Sequence, residues 1–505
     1  MTMTDGQYAV WKRGLCAMLS GNTYRPNPVT RESTLLSFIA QMSIESTNAA
    51  TISDAELNAL NFAFRSLLSD SGANPATPTL ANVTEFFSRL VTDSSASGAL
   101  PPVQHRILKD LFRSTLSDNG FPASPSDTGL LRYINANTPR IGQIATRCAV
   151  NSAIVGTTTN SYMIRTAHIA RDNISSLQVI DSNWYLSGGV ETDGPGVITI
   201  TASIEYPAGV FTQITYSGSA TGTIASGADI VSDACLVTIP NGAQFWTRRY
   251  KQSTNGTPYG NMLDATASPV LDAIQINTTD KTMGGTITDG FGAANGSFFP
   301  AAIIGMTSKR RLLVIGDSRN AGGQDKSNTD YDRGEVLKSL GASYAYINMG
   351  VNGDLGASFL ASHGKRVPFA QYCSAVICEY GINDMVIVSS ATASAFQATV
   401  QSIRALFPGK PFYVCTLPPV TSSSDNWATV PGQTVHAGES SRVAWNNLVR
   451  SNAGGFTGGI ELADFVESSR DSGFWKADGV TANLYCTDGT HENSNGNSQY
   501  VITIP

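Results

Sequence analysis

Arg311-Leu312-Leu313-Val314-Ile315-Gly316-Asp317-Ser318 is the stretch that decides how the last two-fifths of this chain folds. Four consecutive apolar residues, bounded by a glycine, suit a strand covered on both faces. Asp317 and Ser318 follow at once, so a hydroxyl is presented just past the strand's carboxyl end. Outward from here the pattern repeats. Ser343–Asn348, Ala375–Tyr380, Pro411–Thr416 and Gly459–Asp464 are short apolar runs, with helix-like stretches near Arg333–Leu340, Ala391–Leu406 and Ser440–Ser451 between them. Alternating strand and helix predicts a parallel sheet with helices on both faces. Ligands bind such a sheet at the carboxyl ends of its strands, where the unusual residues of this region lie.

A serine is inert at its ordinary pKa and needs a nearby base. Of the five histidines, His491 stands out, in Asp488-Gly489-Thr490-His491. Residues three apart share a face of a helical turn. Asp488 can therefore accept a hydrogen bond from His491 and fix its tautomer, leaving the other ring nitrogen for Ser318. The order Ser–Asp–His suits a triad, although no G-x-S-x-G elbow is present. A developing oxyanion also needs donors. Asn348-Met349-Gly350-Val351-Asn352-Gly353 follows the second run, and a glycine there lets a backbone N–H approach a ligand. Gly381-Ile382-Asn383-Asp384 follows the third, and the Asn383 amide is a neutral donor suited to an alkoxide.

These residues together resemble the SGNH hydrolases, also called GDSL-like lipases/esterases. Gly316-Asp317-Ser318, with Gly322 behind it, is similar to the family's first block. Gly353 matches the second, Gly381 and Asn383 the third, Asp488 and His491 the last, with Asn493 and Gly496 at family-like spacing. The resemblance implies a flavodoxin-like fold with a five-stranded parallel sheet, and acyl-ester hydrolysis without metal or organic cofactor. Ser318 would be the nucleophile and His491 its base. The N–H groups of Ser318 and Gly353 and the Asn383 side chain would form the oxyanion hole. Arg319, Asn352 and Asp384 are further candidates for substrate contact. Arg319 stands where the family usually has an apolar residue, and a surface position is the expectation for it. Residue 492 is Glu where proline is common, and Tyr500–Ile504 reads as a strand rather than the usual final helix.

The chain has 505 residues, enough for about three domains. Residues 1–125 show apolar positions at helical spacing. They also contain an echo: Phe64–Gly72 returns as Phe112–Gly120, with a weaker copy at Phe87–Asp93, about 24 residues apart. This predicts an all-α docking module. Residues 126–160, rich in Pro, Ser, Thr and Asn, read as a connector. Residues 161–305 show period-two runs and turns such as Asp193-Gly194-Pro195-Gly196, which predict a β-sandwich or jelly roll. Its Trp184, Tyr185, Trp246 and Tyr250 suit either sugar stacking or, as the expectation, core filling. Residues 306–505 complete the layout as the esterase-like domain.

Charged residues make up 14% of the chain, which suits weakly charged, β-rich surfaces, and the net charge of −6 offers no basic field for nucleic acid or anionic lipid. No run approaches a membrane span, and the N-terminus lacks the features of a signal peptide, so synthesis in a host cytoplasm and exit by lysis are expected. Seven scattered cysteines argue for buried free thiols rather than disulfides or zinc. Asp325, Asn328, Asp330, Asp332 and Glu335 crowd one loop but lack EF-hand spacing, so a solvated acidic loop is expected there rather than calcium. His363 and His436 have no carboxylate partner in sequence, and each is expected to be a surface or satisfied histidine.

A helical module, a β-sandwich and an SGNH esterase in series are similar to bacteriophage tail-spike or tail-fibre proteins. That likeness implies a virion-borne homotrimer acting on O-acyl groups, most simply O-acetyl, of a host surface polysaccharide, attached through residues 1–125 to tail or baseplate proteins. The alternatives are an esterase or lipase on lipid or small esters, and a non-catalytic adhesin or structural tail protein on the same fold.

Overall fold

Leu312, Leu313, Val314 and Ile315 are all completely buried, so their strand carries a cover on each face. The computed structural model describes residues 140–155, 160–260, 272–288, 298–325 and 332–504. The helical reading of residues 1–125, its repeat, Cys16, His105, Asn328 and Asp330 lie outside the described residues.

Six strands form a parallel sheet: β1 (Cys148–Ala149), β2 (Arg311–Gly316), β3 (Ala345–Gly350), β4 (Ala375–Cys378), β5 (Phe412–Cys415) and β6 (Gly458–Ile460). Their order is β1-β3-β2-β4-β5-β6. From β2 the chain steps to β3 on one side and then to β4 on the other. Where successive connections diverge in this way, a crevice opens at the carboxyl ends. The period-two alternation of β2 distributes its side chains cleanly. Leu313 and Ile315 join one buried cluster with Phe396, Val400, Trp445 and Val449, while Leu312 and Val314 join another with Val336, Leu337, Leu340 and Trp475. The first set comes from helices α3 (Ala393–Ala405) and α4 (Glu439–Ser451); the second includes the short α1 (Leu337–Leu340). Helix α2 (Gly356–Ala361) follows β3. The Thr392 hydroxyl caps α3 by accepting from the Ala395 N–H at 3.2 Å. Asn452, with φ of 50°, ends α4 in the left-handed region that asparagine tolerates.

The sheet has one strand more than expected, and β1 supplies it from inside the stretch read as a connector. Strands already begin at Arg140–Gln143, which pairs antiparallel with Ala302–Thr307. Polar composition hid an apolar set, Ile144, Ala145, Cys148, Ala149 and Val150, that is buried throughout. Ala302–Thr307 itself runs across the expected 305/306 boundary.

Two larger antiparallel sheets and two two-stranded pairs make up the described β-rich region. One has Ile174–Ser182 flanked by Ala302–Thr307 and by Asp229–Val231 and Cys235–Ile239. The other runs Thr221–Ile224, Ile198–Glu205, Gln244–Ser253, Asn160–Ile169, Ala273–Ile276. Leu177 and Val179 of the first and Ile198, Ile200, Ala202 and Ile204 of the second share the buried cluster that also contains Leu313 and Ile315. The apolar core is thus continuous from the β-rich region to one face of the parallel sheet.

Trp184 and Trp246 fill space rather than stack on ligands. Both are buried; Trp184 donates its indole N–H to Asp229 at 2.8 Å, and Trp246 lies beneath the Arg165 guanidinium. The Tyr250 hydroxyl donates to the Thr278 carbonyl at 3.0 Å, and Tyr185 is half-buried. The six described cysteines are free and buried. Tyr500–Ile504 forms no strand. It is an extended segment that buries Tyr500 and Ile504 in the Leu312/Val314 cluster, with the Ile502 N–H donating to Ser339 Oγ at 2.8 Å; its alternation records one-sided packing without a ladder partner. Among the described residues no helix is long and apolar enough to cross a membrane.

Leu313 sits where the two regions share their core. Leu313→Ala is expected to lower unfolding free energy by about 2–5 kcal/mol, the range for a buried leucine truncated to a cavity. Urea denaturation followed by tryptophan fluorescence measures it.

Candidate active site

Gly316 ends β2 because nothing larger fits: a methyl group there would lie 2.4 Å from Glu379 Oε2. The chain then turns tightly. The Ala321 N–H donates to the Asp317 carbonyl at 3.1 Å and the Gly323 N–H to the Ser318 carbonyl at 2.8 Å, while Gly322 takes a φ of 83°. This turn holds Ser318 at the sheet's carboxyl edge, nearly buried.

His491 arrives from the other end of the region. Its Nε2 lies 2.7 Å from Ser318 Oγ, joining residues 173 apart in sequence. Its Nδ1 lies 2.8 Å from Asp488 Oδ2. With the ring proton on Nδ1 donated to Asp488, Nε2 is free to accept from the serine hydroxyl. The segment is a tight turn rather than a helix. Asp488 Oδ1 accepts the N–H groups of Thr490 and His491 at 2.9 and 2.8 Å, which fixes the carboxylate before the ring reaches it. Partial burial works against the Asp488 charge, but the hydrogen bonds from His491 outweigh it and hold the carboxyl at about 2. Gly489 is required twice over: its φ is 80°, and a side chain would run into the Thr421 carbonyl. Asn493 and Gly496 serve the chain just beyond, Asn493 Oδ1 accepting the Gly496 N–H at 2.9 Å.

The predicted oxyanion donors sit on the neighbouring strand ends. Gly350 pairs with Gly316 in the sheet register, and the chain leaving β3 exposes Asn352 and Gly353. Gly353 has a φ of 73° with open space where a side chain would stand, so its backbone conformation, not crowding, calls for glycine. Asn383 opens a single π-helical turn, Asn383–Ile387, after β4. One of its amide hydrogens goes to the Asp354 carbonyl at 3.1 Å, which ties this strand end to the one bearing Gly353.

Two predicted substrate contacts are instead buried supports. Asp384 accepts the Gly356 N–H at 3.1 Å and so holds the start of α2; burial raises its carboxyl to about 6. Arg319 is neither at the surface nor open to a substrate. It is completely buried, donating from Nε to the Thr490 carbonyl at 2.9 Å, from one terminal nitrogen to Glu335 at 3.2 Å and from the other to the Pro419 carbonyl at 3.2 Å. The residue after the nucleophile thereby grips the residue before the base. Asn352 stays exposed.

Burial of the acids around Arg319 left no sign in the sequence. Asp317, Glu335, Glu379 and Glu492 are all buried. Glu379 Oε2 accepts the Asp317 N–H and the Asn320 amide, each at 3.2 Å. Burial raises Asp317 to about 7 despite the pull of Arg319, and raises Glu335 and Glu379 well above the carboxylate range. The expected solvated acidic loop is corrected in the same way. Asp325 takes the Gly334 N–H, Lys338 and Ser494, and Asp332 accepts from the Tyr346 hydroxyl, so these carboxyls face inward toward donors from other parts of the chain. Among the described residues no group of three or more His, Cys, Asp or Glu side chains is placed to hold a metal ion. The His363 ring lies 2.9 Å from the Leu360 carbonyl and stacks on Phe359, and His436 Nδ1 accepts the Gly438 N–H at 3.3 Å.

No protein-family model matches the chain, and no curated protein matches it. Solved structures similar to it include a lipase/acylhydrolase from Enterococcus faecalis, 20% identical, covering 37% of this chain and 90% of that one at a TM-score of 0.28. A carbohydrate acetylesterase family member from Sinorhizobium meliloti is 16% identical, covering 38% and 93% at 0.26. A GDSL-like lipase from Bacteroides thetaiotaomicron is 13% identical, covering 38% and 83% at 0.27.

Arg319→Met removes the cation from a buried ion pair and is expected to destabilise the fold by about 3–5 kcal/mol in urea denaturation. A pH effect follows from Asp317, whose carboxyl is raised from 3.8 to about 7. The folded state keeps a proton that the unfolded state releases, so stability falls as pH rises through this window. The urea midpoint is expected to drop between pH 4.5 and 7.5, and Asp317→Asn to flatten part of that slope.

Proposed function

We propose that this chain is a serine ester hydrolase that removes O-acetyl groups from a surface polysaccharide. The observation that carries the hydrolase reading is the unbroken relay Ser318 Oγ–His491 Nε2, His491 Nδ1–Asp488 Oδ2, at 2.7 and 2.8 Å. Ser318 attacks the ester carbonyl while His491 takes its proton, and Asp488 stabilises the imidazolium. The N–H groups of Ser318 and Gly353 and the second amide hydrogen of Asn383 hold the tetrahedral oxyanion. His491 then protonates the departing sugar oxygen, which leaves as a hydroxyl. Water, activated by the same histidine, releases acetate and restores the serine.

The choice of a hydroxyl-rich substrate is supported by a depression whose lining includes Thr487, the chain neighbour of Asp488. An open depression of about 570 Å³ is lined by Gln324, Thr481, Asn483, Leu484, Thr487, Asn493, Ser494 and Asn495. Amides and hydroxyls without a formal charge suit sugar hydroxyls, and Thr487 adjoins Asp488. As the wider setting, we propose a virus tail protein, trimeric and attached through residues 1–125, with host polysaccharide as its partner; the low charge of the chain supports this setting.

The test compares the full chain with Ser318→Ala on p-nitrophenyl acetate and butyrate and on O-acetylated polysaccharide, following acetate release. Losing the nucleophile is expected to cut kcat by about 10⁴ or more. Serine-dependent release of acetate from polysaccharide, with little action on butyrate, supports the deacetylase. Activity confined to butyrate and longer esters points to a lipid esterase. No serine-dependent activity on any of them overturns the hydrolase reading.

A further inference from the structure

The mechanism above makes no use of the β-rich region, yet one hairpin of that region reaches the oxyanion loop. Strands Trp184–Ser187 and Val190–Asp193 pair antiparallel, and the turn between them is Gly188-Gly189. Gly189 is buried there. A methyl group on it would lie 2.5 Å from Asp354 Oδ1 and 2.8 Å from Ser358 Cβ, so the hairpin's backbone is in close contact with the loop after β3.

The contact is polar and specific. The Glu191 carboxylate, its side chain only 6% exposed, accepts the Lys365 N–H at 2.7 Å and the Arg366 N–H at 2.8 Å. The Glu191 N–H donates to Ser362 Oγ at 2.8 Å, and the Gly189 carbonyl accepts from Arg366 at 3.3 Å. Arg366 is completely buried. It passes the connection on, donating to Asp354 Oδ2 at 2.7 Å, an oxygen that also accepts the Tyr380 hydroxyl at 2.6 Å. Asp354 adjoins Gly353, and its carbonyl accepts from the Asn383 amide at 3.1 Å. Glu191 and Gly189 thus reach both candidate oxyanion donors through two buried side chains.

We propose that the hairpin Trp184–Asp193 is a positioning element of the esterase site, with Glu191 and Arg366 as positioning residues that set Asn383 and Gly353 through Asp354. The proposal rests on the esterase reading. An oxyanion donor stabilises the transition state only when it is held in place beforehand. Here part of that hold comes from a region more than a hundred residues earlier in the chain.

The experiment uses the full chain with Glu191→Ala, Gly189→Ala, Asn383→Ala, the Glu191→Ala/Asn383→Ala pair and Ser318→Ala. A fluorophosphonate titrates the competent serine, so kcat is expressed per competent site on p-nitrophenyl acetate. Glu191→Ala and Gly189→Ala are expected to lower kcat about 10- to 100-fold with KM changed less than about twofold, and Asn383→Ala about 10²- to 10³-fold. Because Glu191 acts partly through Asn383 and partly through Gly353, the loss caused by Glu191→Ala is expected to be several-fold smaller in the Asn383→Ala background than in the wild type. A merely structural role gives multiplied losses, or a loss of titratable sites at unchanged kcat per site. Either result, or wild-type kcat in both hairpin variants, overturns the proposal. Should Glu191→Ala give no soluble protein, Glu191→Gln, which keeps one acceptor oxygen, is read in the same way. Unchanged activity in Ser318→Ala sinks the esterase reading itself, whatever the hairpin variants do.

Discussion

Burial of β2 on both faces constrains everything else in the described structure. A strand covered on both sides cannot carry polar chemistry along its length, because each uncompensated polar group there would be costly. Reactive groups are therefore confined to its carboxyl end, where the helical cover stops. That end is also where β3 and β4 diverge, so three strand ends deliver a nucleophile, a backbone N–H and a side-chain amide to one edge of the sheet. The base need only come from a late loop that returns to this edge, as the turn around His491 does. Sheet topology does the assembly, and the individual turns only aim the side chains.

The charges beneath the nucleophile are harder to justify on stability alone. Arg319 lies among Asp317, Glu335, Glu379 and Glu492, all of them buried. Taking such groups out of water costs several kcal/mol per ion, and an apolar cluster of the same volume is often at least as stable. What an apolar residue at 319 cannot do is grip two carbonyls. Arg319 holds the carbonyls of Thr490 and Pro419 while its own backbone adjoins Ser318. The acids keep the guanidinium buried, and the guanidinium keeps the two halves of the triad in register. The raised carboxyl pKa values of Asp317, Glu335 and Glu379 follow from this arrangement, since burial penalises each charge more than one guanidinium offsets.

The site was more legible in the sequence than its supports. Ser318, Asp488 and His491 could be read because their chemistry leaves a local signature: a hydroxyl after a buried run, and a carboxylate three residues before a histidine. Gly353 and Asn383 could be read because strand ends are where donors must be. Arg319, Asp384, Asp325 and Asp332 were misread for one common reason. A charged residue next to a motif looks exposed in sequence, and only its distant partners, Thr490, Gly356 or Tyr346, show that it points inward. The connector failed differently. Its polar composition outweighed a few apolar positions, and a two-residue strand such as β1 has no period to detect.

The same long-range logic bears on where one part of the chain ends and the next begins. Composition changes near residues 160 and 305, and a sequence reading divides the chain there. Packing does not. Arg140–Gln143 pairs with Ala302–Thr307, β1 joins the parallel sheet ahead of its other strands in the chain, and Leu177, Ile200 and Leu313 belong to one buried cluster. A core shared in this way cannot be cut without exposing apolar surface on both sides, at about 25 cal/mol per Å². The β-rich region is therefore better regarded as part of the body that holds the catalytic edge than as a module attached to it. A hairpin of that body then has a fixed position from which to reach Asp354, which a hairpin on a flexible linker would lack.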